Sequence, residues 1–161
     1  MTTVRIGNGF DIHRLVVGLP LILGGVRIEY ECGLEGHSDG DALTHAITNA
    51  LLGAAALGDI GTHFPPGDPW FKGVNSQVLL KQVKDMLKEK GYRIINVDSM
   101  VICEKPRLSK HYVEMRQVLS NSMEIDLDCV SIKATTAEGM GVIGNSLAIA
   151  SQAVALIEKV S

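Results

Sequence analysis

A single α/β domain is the fold class that the chain predicts, and three observations lead to it. Segments with strand-like composition alternate with segments of helical periodicity. No linker, internal repeat or low-complexity stretch divides them. The 161 residues, 46% of them hydrophobic, are enough to bury one core.

Val4–His13 and Leu21–Glu29 read as strands joined by Gly18-Leu19-Pro20, with Gly24-Gly25 marking a turn or bulge in the second. Ser38 and Asp41 stand at capping-box spacing, so a helix is expected to begin near Asp39. It continues through Ala42–Leu57 and stops at Gly58-Asp59-Ile60-Gly61. Phe64-Pro65-Pro66-Gly67-Asp68-Pro69 holds too much proline for helix or strand and reads as a loop. Ser76–Lys90 has a helical stripe of Val78, Leu79, Val83, Met86 and Leu87, with Gly91 as its stop. Val97–Cys103 reads as a strand, Ser109–Ser122 as a helix and Val130–Thr135 as a strand. Leu147–Lys159 is apolar at almost every position, which periodicity cannot resolve, and its alanines favour helix on propensity.

A formal net charge of -3 and the absence of a Lys/Arg cluster argue against nucleic acid as a partner. Cys32, Cys103 and Cys129 are widely spaced and form no C-x-x-C pair, which fits a reducing compartment. Met1-Thr2-Thr3-Val4-Arg5 leads straight into strand-like sequence, without the marks of a signal or transit peptide. The apolar run at Ala42–Leu57 is broken by Thr44, His45, Thr48, Asn49 and Gly53, so it is no membrane span. The expectation is a soluble protein of the cytoplasm, bacterial rather than of a plastid stroma.

The chemistry concentrates in Asp11-Ile12-His13 and in His37-Ser38-Asp39-Gly40-Asp41-Ala42-Leu43-Thr44-His45. In an extended segment Asp11 and His13 share a face about 7 Å apart, and His45 on the following helix could join them on one divalent metal. Three ligands leave a tetrahedral position open, which suggests catalysis. The Asp-x-His pair alone also fits a turn with a satisfied histidine. His37 falls just before a helix N-terminus, where free backbone N–H groups favour a phosphate. Asp39 and Asp41 are expected to serve the turn and helix start, and His63 and His111 to be surface or helix-end residues.

These residues carry a resemblance. Gly9-Phe10-Asp11-Ile12-His13, His37-Ser38-Asp39-Gly40-Asp41 with His45, Gly58-Asp59-Ile60-Gly61, Phe64-Pro65 with Asp68-Pro69, and Lys133-Ala134-Thr135-Thr136 with Glu138 occur in order. In these the chain resembles the 2-C-methyl-D-erythritol 2,4-cyclodiphosphate synthases of the non-mevalonate isoprenoid pathway. The resemblance implies a homotrimer whose subunits each contribute a mixed sheet of four or five strands with helices on one face, with active sites between subunits. It also implies that Leu147–Lys159 is a strand. The implied reaction cyclises 4-diphosphocytidyl-2-C-methyl-D-erythritol 2-phosphate and releases CMP.

Position by position, the resemblance makes Asp11, His13 and His45 zinc ligands and Glu138 the holder of a magnesium or manganese ion. His37 and Thr136 become the catalytic contacts on the phosphates, and Ser38 a phosphate partner. Asp59, Ile60, Gly61, Phe64 and Asp68 would enclose the methylerythritol unit. Cys103, Lys105, Pro106, Leu108, Thr135 and Thr136 would hold the cytidine end. Pro66 departs from the family, where many members have Asp. Val142, Asn145 and Leu147 stand where Phe, Arg and Glu are usual around a cavity on the threefold axis that can bind isoprenoid diphosphates; loss of the arginine fork argues against that ligand here. Two other classes fit parts of the pattern: a zinc-dependent nucleotide hydrolase with an activated water in the open position, and a non-enzymatic binder of isoprenoid phosphates.

Overall fold

A computed structural model describes residues 3–160. Its centre is a mixed five-stranded sheet built largely from three long segments. Strand β1 (Val4–Val17) pairs antiparallel with β7 (Ala148–Lys159), and β7 pairs antiparallel with β5 (Tyr92–Ile102). Strand β6 (Val130–Thr135) lies parallel to β5, and the short β4 (Cys32–Leu34) pairs with the end of β1. The spatial order is β4-β1-β7-β5-β6. A parallel pair needs a crossover, and α4 (Tyr112–Met123) supplies it between β5 and β6.

Leu21–Glu29, expected as a strand with a turn or bulge at Gly24-Gly25, has the turn and forms a separate hairpin of β2 (Leu21–Leu23) and β3 (Val26–Ile28). Its turn residues, Gly24 and Gly25, both have positive φ, 57° and 73°, which permits the tight two-residue reversal. Strands β1 and β5 also run beyond their expected limits. The β4 strand and the short α5 (Gly141–Gly144) were not legible, because three or four residues carry no periodicity.

The tail is a strand, and its alanine propensity misleads. Ala153 and Ala155 on β7 lie opposite Gly9 and Gly7 on β1, forming a floor of small residues for α1 (Ala42–Ala54). A Cβ at Gly9 would lie 1.9 Å from the Ala46 carbonyl oxygen, and one at Gly7 2.0 Å from that of Ala50. Close approach of helix to sheet therefore selects the small residues, and pairing on both sides of β7 outweighs a propensity difference of a few tenths of a kcal/mol per residue, roughly.

Helices α1, α3 (Ser76–Glu89) and α4 pack on one face of the sheet. From α3 the core receives Leu79, Leu80, Val83 and Leu87, whereas Val78 is exposed. The opposite face has no cover among the described residues. Ile6 is 70% exposed there and Phe10 58%, beside Val4, Ile12 and Val154.

Candidate active site

Helix α1 begins at Ala42, later than expected, because its cap is Asp41 and not Ser38. The Asp41 carboxylate accepts from Thr44 N at 2.9 Å and Thr44 Oγ1 at 2.7 Å. It also accepts from the Gly24 and Gly25 amides of the hairpin at 2.9 and 2.7 Å. Complete burial pushes this carboxyl up, while those donors favour its charged form. One residue thus starts the helix and ties the hairpin to it, which sets where His45 stands.

His45 projects from the first turns of α1 onto the end of β1. Asp11 Oδ2 lies 2.7 Å from His13 Nε2 and 2.9 Å from His45 Nδ1, and the two nitrogens are 3.3 Å apart. Each histidine is held from behind. The Glu35 carbonyl oxygen, which can only accept, takes the Nδ1–H of His13 at 2.6 Å. On His45, Nε2 meets Ser38 Oγ at 3.0 Å and Ser76 Oγ at 2.8 Å. The Ser76 hydroxyl donates to Asp39, so it accepts the proton from His45. Both histidines consequently turn a lone pair towards Asp11. Three acceptor atoms meeting without a proton between them repel one another, and a cation is what such a donor set fits.

Without a metal, a proton serves instead. Burial pushes Asp11 up, but hydrogen bonds and charge from His13 and His45 outweigh it and hold the carboxyl well below the usual range. The hydrogen bond to Asp11 raises His13 above an ordinary histidine, against its burial. Asp11, His13 and His45 form the group of donors, among the described residues, close enough to share one ion. Glu35, Ser76 and the relay role of Asp39 were missed from the sequence, since each acts through a contact distant along the chain.

A cavity of about 200 Å³ opens over this cluster, lined also by His37, Ser38, Ile60, Gly61, Phe64 and Pro66. His37 is tied to the loop carbonyl of Asp68 at 3.3 Å through Nε2. Asp59 caps the short helix α2 (Ile60–His63) by accepting from Thr62 N at 2.8 Å, and Asp68 caps the 3-10 turn Pro69–Phe71 through Trp70 N at 2.9 Å. Neither carboxylate lines the cavity. His63, at the end of α2, donates to the Leu57 carbonyl at 2.7 Å.

The remaining candidates gather elsewhere. Asp11, Ser151, Val101 and Ala134 stand level across β1, β7, β5 and β6. The β6 edge is therefore three strand spacings, about 14 Å, from the Asp11–His13–His45 cluster. There Thr136 Oγ1 donates to Glu138 Oε1 at 3.3 Å, and the Glu104 carboxylate accepts from Ala137 N at 2.8 Å. Lys105, Thr135, Thr136 and Glu138 are exposed, while Cys103 and Leu108 are core side chains. Burial pushes the Cys103 thiol up to about 11, which leaves it an inert sulfhydryl. Val142 lies in α5, Asn145 caps its end and Leu147 follows, all exposed, and the Asn145 side chain donates to Gly141 O at 2.7 Å.

A larger groove of about 860 Å³ lies at the far end of the sheet, beside Lys84, Arg93, Glu124 and Glu158. Two of its cations are already paired, Lys84 with Asp85 and Glu124, and Arg93 with Glu158, while Lys88 also lines it. It lacks the convergent donors of the smaller cavity.

A mixed α/β domain with a two-histidine, one-carboxylate donor set in a lined cavity has the build of a metal-dependent enzyme. The chain matches the YgbB family over residues 4–158. A 2-C-methyl-D-erythritol 2,4-cyclodiphosphate synthase from Chloroherpeton thalassium is 54% identical over 157 residues, 98% of this chain and 100% of that one. One from Dehalococcoides mccartyi is 56% identical over 156 residues, 97% of this chain and 99% of that one. The chain belongs to this family, the 2-C-methyl-D-erythritol 2,4-cyclodiphosphate synthases.

Solved structures agree. The bifunctional IspDF of Campylobacter jejuni matches with a TM-score of 0.95 at 39% identity, covering 99% of this chain and 43% of that longer one. The IspF of Plasmodium falciparum in complex with CDP matches at 0.87 and 36% identity, covering 98% and 97% of the two chains.

Proposed function

We propose that this chain converts 4-diphosphocytidyl-2-C-methyl-D-erythritol 2-phosphate to 2-C-methyl-D-erythritol 2,4-cyclodiphosphate and CMP; the names of its relatives give that cyclic product. The 2-phosphate oxygen bonds to the β-phosphorus, and the bond from that phosphorus to the bridging oxygen breaks, so CMP carries the oxygen away. The observation that carries this reading is the meeting of Asp11 Oδ2, His13 Nε2 and His45 Nδ1 in a family member.

Asp11, His13 and His45 would hold zinc, which when bound supplies Lewis acidity to a phosphate oxygen in the open position. Glu138 would hold a magnesium or manganese ion, which offsets charge on the diphosphate. His37, at the cavity beside Ser38, contacts the phosphate, and Thr136 does so from the other cluster. Ile60, Gly61 and Phe64 enclose the methylerythritol unit and exclude water. Asp59 and Asp68, which cap the adjoining turns, would contact that unit through their remaining carboxylate lone pairs. Lys105, Pro106, Thr135 and the backbone at Cys103 and Leu108 hold the cytidine end, in keeping with the CDP complex of the Plasmodium falciparum relative. Such a transfer depends on positioning and charge stabilisation rather than on a protein nucleophile, and preorganisation can supply roughly 7–11 kcal/mol in favourable intramolecular cases.

The working form is a homotrimer with each site completed by a neighbour. Two features support this: the candidate residues divide between opposite edges of one sheet, and the apolar face at Ile6, Phe10 and Ile12 lacks cover among the described residues. Val142, Asn145 and Leu147 would face the trimer axis without an arginine, so isoprenoid diphosphates are not expected ligands there. No helix among the described residues is long and apolar enough to cross a membrane, and the three cysteines are free, in keeping with a cytoplasmic setting.

Phosphorus NMR of the products tests the reaction. A cyclic diphosphate appearing with CMP is the expected outcome, and a linear phosphate produced by water would overturn it.

A further inference from the structure

Among the described residues, one buried side-chain polar atom lacks a hydrogen-bond partner, the hydroxyl oxygen of Ser151. The residue is 0% exposed on β7, whose other helix-facing positions are apolar: Ile149, Ala153, Ala155 and Ile157. Packing alone does not call for a hydroxyl, since alanine fills two of the neighbouring positions. Ser99, another buried serine of the sheet, satisfies itself by donating to Ser131 O at 2.9 Å. A buried hydroxyl left without a partner is destabilising, so its presence needs an acceptor.

The register supplies one. Ser151 is the cross-strand partner of Asp11, on the same face of the sheet, and its partner on the other side is the apolar Val101. Directly opposed residues bring their Cβ atoms to about 4.5–5.5 Å, within reach of a rotated hydroxyl or a single bridging water. Asp11 uses Oδ2 towards both histidines, while Oδ1 takes no hydrogen bond among the described residues.

We infer that the Ser151 hydroxyl donates to Asp11 Oδ1, directly or through one buried water, and so holds the carboxylate in the rotation that presents Oδ2 to His13 and His45. Ser151 is thus a positioning residue, the counterpart for Asp11 of Glu35 for His13 and Ser76 for His45. This rests on Asp11 being a metal ligand, as proposed above. Partners behind a ligand typically change metal affinity roughly 10–100-fold.

The test is zinc titration against a competing chelator with the full chain and with Ser151→Ala and Ser151→Cys, alongside the melting temperature of each metal-free protein. The expected result is zinc binding weakened at least about 10-fold in Ser151→Ala and less in Ser151→Cys, whose thiol is a weaker donor, with metal-free melting no lower than in the parent. Cobalt-substituted Ser151→Ala should also show a shifted visible spectrum. Affinity within about twofold of the parent overturns the inference, on the scale expected for such partners. So does a loss matched by a fall in metal-free melting, which would make Ser151 a packing residue. A parent protein that takes up no zinc overturns the metal reading along with it.

Discussion

His45 Nδ1 lies 2.9 Å from Asp11 Oδ2 although 34 residues separate the two in the chain. The contact exists because α1 rests directly on β1, with the Ala46 carbonyl in the space that any side chain at residue 9 would occupy. Gly9→Ala should lift the helix, cost about 1–3 kcal/mol by overpacking and weaken metal binding at the same time. Denaturant unfolding and zinc titration check both, and an unchanged zinc affinity would argue against the coupling.

Removing one donor should abolish the site without unfolding the domain. His45→Ala is expected to lose zinc and cyclising activity together while its circular dichroism stays that of the parent. Stoichiometric zinc retained in the purified variant would contradict the ligand assignment.

Two inactive variants should rescue one another if sites form between subunits. His45→Ala and Thr136→Ala damage clusters on opposite edges of the sheet, about 14 Å apart by strand spacing. Refolded together, they should regain part of the activity that each lacks alone. Mixtures as inactive as the separate variants would indicate a site within one chain.

Asp41 joins the helix start to the Gly24-Gly25 turn, so its loss should cost more than an ordinary cap. Asp41→Ala removes the acceptor for four donors and is expected to destabilise by about 2–4 kcal/mol. Urea unfolding measures this, and a value no larger than that of a surface substitution would show the hairpin to be held by other contacts.

The pair Lys133–Asp98 gives a pH-dependent contribution of known sign. The hydrogen bond from Lys133 lowers the Asp98 carboxyl below its ordinary value, against partial burial. A depressed acid stabilises the fold above its unfolded pKa of about 3.9 and loses that contribution as pH falls through the folded value. Both side chains are about half exposed, so the effect is no more than about 1 kcal/mol. Asp98→Asn should melt slightly below the parent near neutral pH, with the difference vanishing under strong acid. A difference that persists there would assign the effect to packing.

Helices α1 and α3 and strand β6 were legible because periodicity, proline and glycine act over neighbouring residues. For Leu21–Glu29 the sequence left a turn or a bulge open at Gly24-Gly25, and the structure shows the turn, held by contact with Asp41. Propensity alone misreads the tail, which the resemblance gives as the strand it is, because the demand for small residues comes from α1, a neighbour in space. Asp11, His13 and His45 could be named early as a candidate donor group, since their residue types at that spacing suggest one, and the structure brings them together.

By itself the chain of residues determined the class of fold, the donor types and the family, because these lie in local pattern and in motifs carried at set spacing. Tertiary structure alone decided that Ser76 and Asp39 stand behind His45, that Ser151 lies opposite Asp11, and that the candidate residues divide between two sheet edges. Those facts come from register and packing, where partners distant along the backbone are brought together by burial and strand pairing that no single segment encodes.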